Sequence, residues 1–534
     1  MSRDSLKPLS DHMQSDSGDS KPSIIDRLLE LVRAKCSLFI DPEGKAYATF
    51  CSSSGIQETW AIDSKYFHQV IGYWFFLNYK KPVRQDQVKE VCHSLHAFAT
   101  YEGCQHEVFI RVAAINDNYY IDLVNDDWQV VEVSATGWQV LDNSPVKFVR
   151  SDTMQALPLP EQGGDIDELW QFVNVAEGDR LLVLVWLLEC LRQNTQKPVL
   201  ELLGGHGCGK SHTTEVLRSL VDPSTASLRH FPRKDEDLFI SAQFNWIIPY
   251  ENVSHLSETK QDLLCQICTG SAYVKRTAYS NASETVLSAC RPQVINGITP
   301  VATRLDLIDR CISVELPTMT PGNRKTKTEL EQAFQRARAK LFGALLKLLS
   351  GAMMQLPLIK LKSLPRMADF ALLGEAVCSS LGQEGEFVHI YEANRSQLIS
   401  SSLEGSPVAI ALLEMCQARG SGQVFNGVVS NLLKQLANYR TDYCNWPKTP
   451  RGLGNVLRRE QEALKLKGIG ISFTGKTSRG RNVVINYKSG AQHTLSAQRA
   501  LDPSGVASSD ARSAHGAQEI PANRMDDVQV ELAV

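Results

Sequence analysis

The stretch from Leu200 to Leu220, LELLGGHGCGKSHTTEVLRSL, restricts more than any other what this chain can fold into. It fits the spacing G-x-x-x-x-G-K-[ST] at Gly204, Gly209, Lys210 and Ser211, after an apolar run from Val199 to Leu203 and before a helical pattern from Ser211 to Leu220. That context predicts a strand, a glycine turn and a helix, whose loop N–H groups and positive helix end face phosphates. Lys210 is expected to reach the β- and γ-phosphates of ATP, and the Ser211 hydroxyl to ligate Mg²⁺. The expected cofactor-binding segment is Gly204, Gly205, His206, Gly207, Cys208, Gly209, Lys210, Ser211 and His212. His206 and Cys208 stand where small residues are usual, and neither is expected to block the backbone contacts.

Such a loop needs a carboxylate on a neighbouring strand. FNWIIPYENVS carries an apolar run from Trp246 to Tyr250 that ends in Glu251 and Asn252. A carboxylate at the C-terminal end of a buried parallel strand faces the ligand crevice, so Glu251 is the expected metal-side acid, acting through water. RPQVINGI ends another apolar run in Asn296, whose amide can hydrogen-bond the γ-phosphate or the lytic water. ATRLDLIDRCISVELP then sets Arg304 and Arg310 around a short helix. An arginine there commonly faces a neighbouring subunit's nucleotide, where its planar charge meets the transferring phosphoryl group.

With 534 residues the chain exceeds what one core organises, so several domains are expected. Their expected bounds are a tail at 1–23, a small α+β domain at 24–156 and an α/β ATPase core at 165–320. A helical region at 321–420, a compact basic unit at 421–489 and a second tail at 490–534 follow. Pro158 to Asp167, PLPEQGGDID, reads as a linker. The polar start lacks the apolar core of a signal peptide, the longest apolar run (Leu181–Leu191) is too short to span a bilayer, and the thirteen cysteines show no repeated spacing. A cytoplasmic protein with reduced thiols and no membrane partner is therefore expected. Cys265 and Cys268 form C-x-x-C without a second pair, and read as core thiols; no catalytic metal beyond Mg²⁺ is expected.

A net charge of −3 excludes a uniformly basic coat for nucleic acid but leaves room for a local patch. Trp446 to Lys488 supplies one, with ten Lys or Arg against two Glu. Thr449 and Pro450 start a helical pattern to Lys467, followed by a glycine turn, a strand, a basic turn and a strand. That is the layout of a winged helix, whose helix enters the major groove while its wing touches phosphate. Arg458, Arg459, Lys476, Arg479 and Arg481 are the candidate DNA contacts; a solvated helix on a small cap is the alternative.

The order of loop, acid, amide and arginine resembles the ATPase core of superfamily III helicases and their AAA+ relatives. The chain resembles more closely a family of bacterial mobile-element and phage ATP-binding proteins related to poxvirus-type primase-helicases. VDPS, DLFISAQFNWIIPYENVS, DLLCQICTG, RPQVINGI, DLIDR, LPRMADF and YEANR carry the likeness across about residues 160 to 400, and a weaker one reaches most of the chain. The resemblance implies a P-loop core of the superfamily III type, with Lys210 and Ser211 on nucleotide and magnesium, Glu251 as the second acidic motif, Asn296 as sensor and Arg310 as arginine finger. It also implies a homo-oligomeric ring, a hexamer, moving on DNA alongside host or element replication proteins. Between acid and sensor it implies a DNA hairpin, in which Lys275 and Arg276 contact phosphate and Tyr273 or Tyr279 stacks on a base; a solvated turn is the alternative.

One departure bears on rate. The family's usual acid before Asn is Asp, and classical members place two adjacent acids there, whereas this chain has Glu251 followed by Asn252. The leading expectation is an ATP-dependent helicase or replication-initiation ATPase. An ATP-gated DNA-binding switch with low turnover and a loader that recruits a host helicase are the alternatives.

Overall fold

The computed structural model describes residues 22–52, 54–276, 284–319, 326–440, 446–477 and 480–488. The first segment runs α1 (Ile24–Lys35), β1 (Cys36–Ile40), β2 (Ala46–Cys51), β3 (Gln57–Ala61), α2 (Lys65–Tyr79), α3 (Gln85–Tyr101) and β4 (Cys104–Gln105). Its sheet has the order β3-β2-β1-β4, and helical positions one turn apart, such as Leu28 and Val32 or Phe67 and Ile71, form its own core.

A short strand β5 (Val108–Phe109) precedes the antiparallel meander β6 (Val112–Ile115), β7 (Asn118–Asp122), β8 (Val130–Ser134) and β9 (Gly137–Leu141), and β10 (Lys147–Phe148) then pairs with β5. Residues 24–156 thus hold sheets with different cores. The meander's Val112, Ile121, Val131 and Val133 pack into the core of the helices that follow. Alternation along β8 leaves one apolar face to cover, and its cover comes from far along the chain.

After a 3₁₀ turn at Ile166–Gln171 come α4 (Glu177–Cys190), β11 (Val199–Leu203), α5 (Lys210–Val221), β12 (Arg229–His230), α6 (Asp235–Phe244), β13 (Ile248–Glu251) and α7 (Glu258–Thr269). The hairpin β14 (Tyr273–Arg276) and β15 (Glu284–Leu287) leads to β16 (Gln293–Gly297), α8 (Leu305–Ile308) and β17 (Cys311–Glu315). Five parallel strands form the central sheet in the order β12-β13-β16-β11-β17. Its inner strands are buried on both faces, which is why they read as near-continuous apolar runs. Glu201 breaks the run: its Oε1 accepts from Val301 N at 2.7 Å and Ala302 N at 3.3 Å, fastening the loop after β16.

The helices α9 (Lys327–Gln355), α10 (Ala368–Leu381) and α11 (Glu386–Glu404) share a core with α4. Among the described residues, the stretch Lys327–Leu358 is long and apolar enough to cross a membrane, and half of its apolar window is buried against the rest of the chain. The expected linker is an ordered strap. A Cβ on Gly343 of α9 would overlap the Glu161 carbonyl, and one on Gly164 would overlap that of Lys340, so two backbones touch there. Last come α12 (Pro407–Arg419), β18 (Gly422–Val428), α13 (Val429–Leu436), α14 (Pro450–Leu466), β19 (Ile469–Thr477) and β20 (Gly480–Tyr487). Their antiparallel sheet has the order β18-β20-β19, and α12 packs on α13 and α14 as part of the same unit.

The meander and the central sheet meet at a buried ion pair. Arg111, fully buried and left-handed at φ 61°, donates from Nε to Asp222 Oδ1 at 3.0 Å, and its other nitrogens donate to the carbonyls of Asp122, Gln155 and Pro223. The second Asp222 oxygen accepts from Ile247 N at 3.0 Å, so the aspartate of VDPS holds three segments together.

Candidate nucleotide site

β11 delivers the chain to a loop that turns through left-handed glycines at Gly204, Gly207 and Gly209, a conformation L side chains resist. A Cβ on Gly204 would also lie 2.7 Å from Cys208 Sγ. Cys208 itself is buried and donates to the Gly205 carbonyl at 3.1 Å, so its side chain points into the core, while His206 is exposed. Lys210 opens α5 and lays its Nζ across the loop, donating to the Gly204 and Gly205 carbonyls at 2.8 Å each.

The next residue meets the acid. Ser211 Oγ donates to Glu251 Oε1 at 2.8 Å, joining the start of α5 to the end of β13. A hydroxyl and a carboxylate beside a helix N-terminus are hard oxygen donors that fit Mg²⁺ sharing phosphate oxygens. No group of three or more His, Cys, Asp or Glu side chains among the described residues could hold a metal ion. An ion here would therefore draw its remaining ligands from phosphate and water.

Asn296 lies level with Glu251, because Tyr250 pairs with Ile295 across β13 and β16. It is fully buried: Oδ1 accepts from Asn252 N at 2.9 Å and Nδ2 donates to Thr214 Oγ1 at 3.3 Å. The amide therefore holds the turn just after the acid, where Asn252 is left-handed at φ 54°, and ties it to α5. Thr214 carried no sequence signal beyond its place on the helix. Asn174 carried none at all, yet its Nδ2 donates to the carbonyls of Cys208 at 2.9 Å and Pro317 at 2.6 Å.

Arg310 sits at the other end of the sheet. Its carbonyl accepts from Val199 N, so the length of β11, about 16 Å at 3.3 Å per residue, separates it from its own loop. Its guanidinium is held by Asp306, at 2.9 Å to the carbonyl and 2.5 Å to Oδ2, and its side chain is only 11% exposed. Arg366 shares Asp306 at 2.7 Å and is 46% exposed. Arg304 pairs with Asp262 at 3.3 Å and Glu258 at 3.5 Å.

Of the expected DNA contacts, Lys275 and Arg276 lie on β14, paired with Thr285 and Glu284; Tyr279 is outside the described residues. Tyr273 stacks on Phe239 at 4.9 Å, which anchors the hairpin's base to α6. In the C-terminal unit, Thr449 caps α14 and Pro450 opens it, as their sequence predicts. Arg458 stacks on Phe473 at 4.5 Å, Arg481 is exposed and pairs in register with Lys476, and Arg479 is outside the described residues. Arg459 reaches back to the core, 2.9 Å from Glu258 on α7. Cys265 and Cys268 are buried, and burial pushes the Cys265 thiol up to about 12.

Comparison with known families matches residues 166–398 to the actinomycete integrative conjugative element replication protein RepA, and residues 408–500 to the C-terminal domain of the same protein. The chain belongs to this RepA family. It is thus a replication protein of a mobile element, and the second match opens within α12, the helix that packs with the C-terminal unit. No curated protein matches. Among solved structures, the RepA-family chain is similar to "SCCmec type IV Cch - active helicase", at 13% identity over 84% of this chain and 92% of that one, with a TM-score of 0.44. It is also similar to the NrS-1 C-terminal region, at 12% identity over 88% and 100% with a TM-score of 0.39. A JCV helicase aligns at 14% identity over 44% and 70%, with a TM-score of 0.21.

Proposed function

We propose that this RepA-family chain is an ATP-dependent DNA helicase or replication-initiation ATPase, working as a ring of six on the element's DNA. The observation that carries the reading is the Ser211–Glu251 hydrogen bond of 2.8 Å at the mouth of the glycine loop. It joins the two oxygens a magnesium nucleotide needs, at the positive end of α5. Magnesium would neutralise charge on the β- and γ-phosphates. The chain's own groups do the rest: loop N–H groups and Lys210 hold the phosphates, Glu251 orients and deprotonates the attacking water, and Asn296 keeps the acid's turn in place. The sheet order supports this division, since β16 with Asn296 lies between the loop strand and the acid strand.

The position of Arg310 supports the ring. At a strand's length from its own loop it can meet only a neighbour's phosphates, and Asp306 must release it or share it for that contact. The C-terminal unit supplies a winged-helix DNA contact through α14 and the β19–β20 turn, and the β14–β15 hairpin grips single-stranded DNA. Steady-state ATP turnover with and without single-stranded DNA tests the reading: DNA raises the rate, and Lys210→Ala abolishes it.

The single acid favours a second reading, an ATP-gated DNA-binding switch. Glu251 is followed by Asn252, whose side chain is a neutral amide, so one carboxylate serves both metal and water. ATP binding with turnover at the Lys210→Ala background selects the switch.

A further inference from the structure

We propose that the groove between α5 and α9 takes the nucleoside half of the nucleotide, with the base against Val216 and Phe334 and His212 at the phosphate end. The proposal rests on the reading of Gly204–Ser211 as the phosphate site. His212, Glu215, Val216 and Ser219 lie on one face of α5 and line this groove, so it begins one residue past Ser211 and runs down the helix. At 1.5 Å per residue Ser219 is about 12 Å below Ser211, within reach of a sugar and base whose phosphates stay in the loop.

The groove encloses about 240 Å³. A dry cavity of about 150 Å³ admits a benzene ring, so a base with part of its sugar fits. Its floor is apolar and rigid: Val216 and Phe334 are buried, and Phe172 packs edge-on against Phe334 at 5.5 Å. Its walls are polar, with Lys327, Glu331 and Gln335 of α9 facing Glu215, which suits a base edge and ribose hydroxyls. His212 Nε2 is buried without a hydrogen-bond partner, a cost that a ligand atom would remove once the ring turns toward the groove. The other flank of the loop is closed by Asn174 on the Cys208 and Pro317 carbonyls and by the Met319 methyl, 2.9 Å from where a Gly209 Cβ would stand.

Calorimetric titration of the full chain with Mg-ATP and with Mg-tripolyphosphate tests this. Wild type is expected to bind ATP at least tenfold more tightly than tripolyphosphate. Gln335→Trp and Glu331→Trp, each of which places an indole over the groove from α9, should each reduce or abolish that preference while tripolyphosphate affinity stays at the wild-type value. ATP bound no more tightly than tripolyphosphate by wild type, or an unchanged ATP preference in both variants, overturns the proposal. Failure of wild type to bind tripolyphosphate at all removes the phosphate-site reading itself, and the groove's assignment with it.

Discussion

On the proposed reading Glu251 of β13 does the chemistry and Asn296 of β16 sets its geometry. Glu251→Gln is expected to keep ATP binding and lose turnover, because the amide oxygen still accepts from Ser211 but takes no proton. Asn296→Ala leaves the Asn252 N–H and Thr214 hydroxyl without their partner, so it should cost about 1–3 kcal/mol in urea unfolding and lower the rate through a displaced Glu251. Glu201 makes a pH prediction. Burial raises its carboxyl above the ordinary 4.5, so the folded chain holds a proton that the unfolded chain has released. Stability contributed by that proton is complete below 4.5 and is lost as pH rises through the folded value; Glu201→Gln should flatten this part of a stability profile. That the loop, the acid and the amide come together was legible in the sequence because each ends an apolar run of the kind that forms a buried parallel strand. The partners of Asn296 were not legible: that it faces inward depends on the strand register, which spacing alone leaves open.

The elements came through best where their ends carry chemistry, as with Thr449 and Pro450 at α14 or the glycine loop at α5. The strap at residues 161–164 was misread as a linker because Gly and Pro signal turns locally, while its role comes from a backbone contact with α9. Gly343→Ala puts a methyl group into that contact and should destabilise the chain by about 1–3 kcal/mol, read as a lowered thermal midpoint. The Arg459–Glu258 pair joins α14 to α7 in an exposed setting, worth about 0–1 kcal/mol for stability. On the proposed DNA-binding reading, Glu258→Gln removes one of the two carboxylates on Arg459, the other being Glu460 at 3.2 Å, so DNA affinity should rise and the slope of log affinity against log salt should steepen by up to about one unit.

At the scale of the molecule, the distance from Arg310 to its own loop turns the ring into a testable statement. Chains with Lys210→Ala and chains with Arg310→Ala should each be inactive alone, yet mixing them should restore part of the turnover, since some interfaces then combine an intact loop with an intact arginine. A mixture as inactive as its components argues against catalysis shared between subunits.

The Arg111–Asp222 pair has a consequence for how independent the α/β core can be. The two residues stand 111 positions apart, and both are buried. A fragment cut at residue 166, where the family match opens, would retain the carboxylate and lose its guanidinium. Removing one member of a buried pair costs about 3–5 kcal/mol, comparable to the entire margin of many domains, and Arg218, 3.7 Å from the same carboxylate, would offset part of it. The α/β core is therefore not a detachable module: during synthesis Arg111 waits for a carboxylate that emerges 111 residues later, and recombination that shuffles the amino-terminal region must carry a matching arginine with it.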